Sequence, residues 1–152
     1  MDVQQTEPMQ TDTVTDTAFK LANAVVLPFW ALMLVSPRSR LTRAVMENRA
    51  VFVVLGVLYV TLLARTMRGG DPEALRRVLR DPSPQTLGEL FARPEGVTVG
   101  WVHFLAFDLF VGRWIWSDAV AEDRAPRLAL GLTFMAGPAG LLLYLAEKVV
   151  RR

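Results

Sequence analysis

The sequence predicts an all-α protein: a membrane-embedded bundle of four transmembrane helices behind a disordered N-terminal tail. Three observations predict it. The chain of 152 residues is 52% apolar, above the roughly 45–50% usual for soluble domains. Its mean hydropathy is +0.29, and the apolar residues gather in long runs. The runs AVFVVLGVLYVTLLA and Leu128–Leu145 hold almost no polar residue. An amphipathic soluble helix would show a polar side chain every turn.

Residues 1–18 read as an acidic, disordered tail, because they hold no basic residue and no apolar run. They lack the positive start of a secretory signal and the arginines of a transit peptide. The helical domain is expected over 19–152, with spans at about 19–36, 44–64, 97–116 and 128–147. The first ends at Ser36-Pro37, before Arg38, Arg40 and Arg43, and carries Pro28 inside it. Internal proline is tolerated by membrane helices more often than by soluble ones. The second apolar run, Ala50–Ala64, is short for a span of about 20 residues. It is expected to lengthen on its N-terminal side, through Ala44, Val45 and Met46.

Between the second and third spans, DPEALRRVLR reads as a short helix capped by Asp71 with Pro72 in its first turn. TLGELFAR reads as a second amphipathic piece; the two suit either the membrane surface or an ordinary solvated loop. The third span, VTVGWVHFLAFDLFVGRWIW, carries His103, Asp108 and Arg113. The fourth has MAGPAG at its middle, where small residues allow close packing and Pro138 bends the helix. Four crossings would put both termini on the side of the connection over 65–96. The flanking basic residues do not decide which side faces the cytoplasm.

Charge and composition exclude several functions. Seventeen Lys and Arg against fifteen Asp and Glu is too even for a nucleic-acid surface. There is no cysteine and one histidine, and no span has acidic residues paired at helical spacing. No metal site and no cofactor are therefore expected. No phosphate loop, GxSxG or HExxH motif is present.

Asp108 is the most informative residue. A carboxylate at mid-membrane costs roughly 2.5–3.5 kcal/mol on insertion scales, so it should face the interior and find a partner. At about 100° per residue, His103 and Arg113 each lie about 140° from it around the helix. Its partner is therefore expected on another helix: Asn23, Tyr59, Thr61, Thr133 or Tyr144. Two readings stand, a structural hydrogen-bonding pin and a general acid. His103 divides in the same way between packing and function. Arg113 suits an anchor or an ion-pair partner, Trp114 and Trp116 an interfacial belt, and Asp118 a solvated helix end.

GWVHFLAFDLFVGRWIWSDA (Gly100–Ala119) and TFMAGPAGLLLYL (Thr133–Leu145) resemble the abscisic-acid-deficient-four-like family. LANAVVLPFWALMLVSPRSR (Leu21–Arg40) and LGELFARPEGV (Leu87–Val97) extend the likeness to about residues 19–146. These are multi-pass membrane proteins; plant plastid members are required for neoxanthin synthesis, and bacteria have relatives. The matched positions are Trp101, His103, Asp108, Gly112, Arg113, Trp114 and Asp118, then Gly137, Pro138, Gly140 and Tyr144. The resemblance implies a bundle in lipid and a lipophilic isoprenoid ligand. It makes Asp108 and His103 the catalytic candidates for acid–base isomerisation of a carotenoid or other isoprenoid lipid. Trp101, Arg113, Trp114 and Asp118 are then the binding candidates. The alternative is a non-catalytic scaffold for membrane enzyme partners, or a small-molecule carrier. The expected location is a bacterial cell membrane.

Overall fold

The computed structural model describes residues 12–70 and 72–151. The expected tail before residue 12, and Asp71 as a cap, lie outside the described residues. Seven helices and no strand are found among those described: α1 (Thr13–Val35), α2 (Arg40–Glu47), α3 (Ala50–Gly69), α4 (Pro72–Arg80), α5 (Pro84–Leu90), α6 (Pro94–Ala121) and α7 (Arg127–Val150). Four of them, α1, α3, α6 and α7, are long and apolar enough to cross a membrane. The all-α, membrane-embedded class expected from the sequence is the one found.

Helix α1 starts at Thr13, inside the expected tail. Its N-terminus is capped by Asp12, whose carboxylate accepts from the Thr15 N–H at 2.7 Å. Ala18, Ala22, Val26, Trp30 and Met33 fall on one buried stripe, spaced by three or four residues. Pro28 lies on the opposite, exposed side.

The second span is displaced from its expected position. Residues 44–47 belong to α2, a separate amphipathic helix, and α3 begins only at Ala50. The break falls at Asn48-Arg49, where the Asn48 side chain accepts from the Ala50 N–H at 2.8 Å. The missing length comes from the C-terminal side, where α3 runs on through Arg65 and Arg68 to Gly69. Snorkelling arginines at an interface permit this.

Helices α4 and α5 are the two expected amphipathic pieces. A reciprocal Ser83–Thr86 capping box starts α5. Arg77 donates to Glu89 through Nε at 2.9 Å and Nη2 at 2.7 Å, joining the two helices.

Helix α6 is the centre of the molecule and packs against α1, α3 and α7. Its 28 residues exceed the expected span at both ends. Gly112 admits Trp30 of α1: a Cβ built there would lie 2.7 Å from Trp30 Cζ3. Trp30 also meets Phe134 edge-on, with centroids 5.4 Å apart, so three helices converge on one indole. Met33, Leu109, Ile115, Leu130 and Tyr144 complete this core.

Helix α7 has the composition expected of a fourth span over 128–147, but its backbone reverses. Ala136 has φ −156° and ψ 71°, outside the helical region. Beyond it the chain folds back beside its own first half. A Cβ built at Gly140 would lie 2.5 Å from the carbonyl oxygen of Ala129, eleven positions earlier. In a continuous helix those two residues would be about 16 Å apart along the axis. Pro138, which cannot donate a backbone hydrogen bond, lies two residues past the break.

Candidate functional site

A cavity of about 600 Å³ lies between the C-terminal half of α3, the α4–α5 pair and the N-terminal half of α6. Leu63, Met67, Leu75, Phe91, Val99 and Phe104 give it apolar walls. Tyr59, Thr66 and His103 are the polar side chains among the walls, and Arg77, Glu89 and Arg93 also line it. Small-molecule sites of about 300–1,000 Å³ with apolar walls and a few convergent polar groups are the usual pattern.

Helical spacing puts His103 there. Val99, Gly100, His103 and Phe104, at successive steps of one, three and one residues, lie on the side of α6 that faces α3 and α5. The imidazole stacks on Phe107, with centroids 4.6 Å apart and planes 28° from parallel. The Tyr59 ring of α3 lies 5.7 Å from it.

Asp108 does not line this cavity. Its half-buried carboxyl group faces α7, where a Cβ built at Gly137 would lie 2.9 Å from its Cγ. It therefore abuts the point where α7 reverses. The five residues expected as partners are engaged elsewhere. Asn23 accepts from Trp101 Nε1 at 3.2 Å, and Tyr59 packs on His103. Thr61 donates to the Val57 carbonyl and Thr133 to that of Ala129, both at 2.8 Å. Tyr144 donates to Asp118 at 2.6 Å. The expected interhelical hydrogen bond to Asp108 is not made among the described residues. A close approach to a glycine takes its place.

The remaining candidates fall in three further places. Trp101 stacks on Phe19 as well as bonding Asn23, which ties α6 to the start of α1. Arg113 donates through Nε to the Met46 carbonyl at 2.5 Å, anchoring α2. Trp114 meets Tyr144 edge-on at 5.8 Å. Asp118 is no solvated helix end: it accepts from both Tyr144 and Lys148. Lys148 also pairs with Glu122 at 3.4 Å, and Arg124 pairs with Glu147 at 3.1 Å. Outside the spans, Glu122 is held below the ordinary carboxylate range by hydrogen bonds from Arg124 and then Lys148. Of the six candidates, only His103 reaches the cavity. No group of three His, Asp or Glu that could hold a metal comes together among the described residues.

The family model for the ABA DEFICIENT 4-like proteins matches residues 17–144. The chain belongs to the ABA DEFICIENT 4-like family. Protein ABA DEFICIENT 4, chloroplastic, from Arabidopsis thaliana is a relative, 27% identical over 146 residues. The alignment covers 93% of this chain and 65% of that relative, so the chain spans just under two thirds of the relative's length. No solved structure matches. The match to the ABA DEFICIENT 4-like family takes in the cavity wall on α3, the whole of α6 and both sides of the α7 reversal.

Sequence reasoning alone did not reach Tyr59 as a cavity residue, nor the pairing of Lys148 with Asp118. Tyr59 sits in an unbroken apolar run whose facing side only its packing on α6 reveals. The Lys148 pair depends on α7 folding back, which leaves no periodic trace.

Proposed function

We propose that this membrane protein binds a carotenoid or other long isoprenoid lipid in the cavity walled by α3, α5 and α6. The carrying observation is the cavity itself: apolar walls along the N-terminal half of α6, with His103 and Tyr59 among its polar lining. Membership of the ABA DEFICIENT 4-like family supports a lipophilic ligand. The aromatic rings of Phe91 and Phe104 suit a flat polyene.

Acid–base isomerisation of that lipid is the finer reading, and it assigns the ligand-facing role to His103. Asp108 sits on another side of α6 against Gly137, so its role there is to position α7. The expected bacterial cell membrane belongs to the same proposal; the plant relative's name is chloroplastic, and fractionation separates the two.

Purification from carotenoid-producing cells tests the binding. Wild type should carry pigment into detergent, and Leu63→Trp, which fills the cavity, should lose at least nine tenths of it. Val54→Trp on the exposed face of α3 should retain it. Pigment-free wild type, or equal pigment in both variants, would reject the proposal. For the reaction, His103→Gln should abolish conversion of an added epoxy-carotenoid while binding persists. Full conversion by His103→Gln would remove the isomerisation reading.

A further inference from the structure

We infer that α7 does not cross the membrane. It enters and leaves through one face as a re-entrant hairpin, so the described helices cross three times and Val150 lies on the face opposite Thr13.

The two faces are fixed by contacts. The corner between α1 and α2 marks one of them. Trp116 Nε1 donates to the Pro37 carbonyl there at 2.8 Å, and Arg38 bonds the Asp123 backbone. Arg127 Nε donates to the Leu34 carbonyl at 3.0 Å. The C-terminal end of α6 and the beginning of α7 therefore belong to this face. The α4–α5 pair, reached after α3 has run the other way, belongs to the opposite face.

A straight α7 would carry Lys148 about 32 Å from Arg127, to the level of α4 and α5. Instead Lys148 is paired with Asp118 and Glu122, Tyr144 with Asp118, and Glu147 with Arg124. Every one of these partners lies at the C-terminal end of α6 or just beyond it. Residues 144–148 thus return to the face from which α7 set out.

The apex depth agrees from two directions. Ala136 is nine residues past Arg127, about 14 Å of helix, or half of a hydrocarbon core of about 30 Å. Asp108 is ten residues before Asp118, about 15 Å, and it is Asp108 that touches Gly137. Broken backbone at that depth is tolerated when protein surrounds it. Thr133, Gly137 and Gly140 are all buried. Leu128, Met135 and Leu142, by contrast, are exposed and apolar, as a lipid-facing surface requires. Asp108 is then a positioning residue for the apex.

The chain has no cysteine, so single cysteines report position without background. Glu47→Cys marks the α1–α2 corner, Gly88→Cys the α4–α5 face and Val150→Cys the end of α7; all three sites are exposed. In sealed vesicles, a membrane-impermeant maleimide should reach Val150→Cys from the same side as Glu47→Cys and the opposite side from Gly88→Cys. Labelling of Val150→Cys together with Gly88→Cys would overturn the hairpin. A second measurement needs no vesicle orientation. Arg124→Cys with Glu147→Cys should be joined by a short bis-maleimide in the full chain in detergent. A crossing helix would hold the two about 30 Å apart, and absence of the cross-link would overturn the hairpin equally.

Discussion

Adding one methyl group at Gly112 would drive α6 against the indole of Trp30. The new Cβ would lie 2.7 Å from Cζ3 and 3.2 Å from Cζ2, with Cη2 nearer still. Carbon atoms in contact prefer about 3.5–4.0 Å, so the ring or the helix must move by about 1 Å. The ring has little freedom to do so. It is 3% exposed, and Phe134 of α7 closes it in from the side. Overpacking a filled core costs about 1–3 kcal/mol. Gly112→Ala is therefore expected to lose about 2 kcal/mol, roughly thirtyfold in the unfolding equilibrium. Denaturant titration in detergent micelles, followed by circular dichroism, measures it. The strain belongs to one pair, so Trp30→Leu should relieve it. The double variant should lie above the sum of the single losses by about 1 kcal/mol or more. A Gly112→Ala protein within about 0.5 kcal/mol of wild type, or strictly additive variants, would refute the packing.

Three further outcomes follow from polar contacts at the C-terminal end of α6. Tyr144→Phe removes the hydroxyl bonded to Asp118 and keeps the ring against Trp114, so a loss of about 1 kcal/mol is expected in the same titration. Trp116→Phe leaves the Pro37 carbonyl without its indole donor and should cost about 1–3 kcal/mol, with the α1–α2 corner becoming more open to protease. Acid should also destabilise the fold through Glu122. Its folded-state pKa lies below the ordinary 4.5, so its contribution is complete above that value and disappears as pH falls through the folded value. The melting temperature should drop as pH goes below about 4.5, and Arg124→Gln should flatten that part of the profile. An unchanged profile in Arg124→Gln would separate Glu122 from the acid response.

Membrane embedding, the helical class and the short α4–α5 pieces were legible because each has a local signal. Apolar run length and proline placement both act within a few residues. The separation of His103 from Asp108 was legible too, since five residues of helix place side chains about 140° apart. The structure puts the first in a cavity and the second on Gly137. Helix ends were harder to read. Residues 44–47 join Arg40–Arg43 in α2 rather than α3, because a second amphipathic helix buries Met46 and Thr42 while leaving Arg40 and Arg43 exposed.

The direction of α7 was beyond local reading for a definite physical reason. Gly137, Pro138, Ala139 and Gly140 fit a mild bend in a crossing helix as well as they fit a full reversal. Helix propensity and hydropathy take the same values in both cases. What separates them is pairing over distance: Asp118 with Lys148, thirty residues apart, and Arg124 with Glu147, twenty-three apart. In a crossing helix these charges would sit at opposite membrane faces and never meet. A reversal brings Glu147 and Lys148 to the end of α6 that holds Asp118 and Arg124, and puts Gly137 at mid-depth. There a glycine can lie against the carboxyl group of Asp108, and any side chain larger than hydrogen at position 137 would be excluded by it. The same acidic residue that first pointed to chemistry lies against the reversal of α7, while His103 and Tyr59 line the cavity proposed for a ligand.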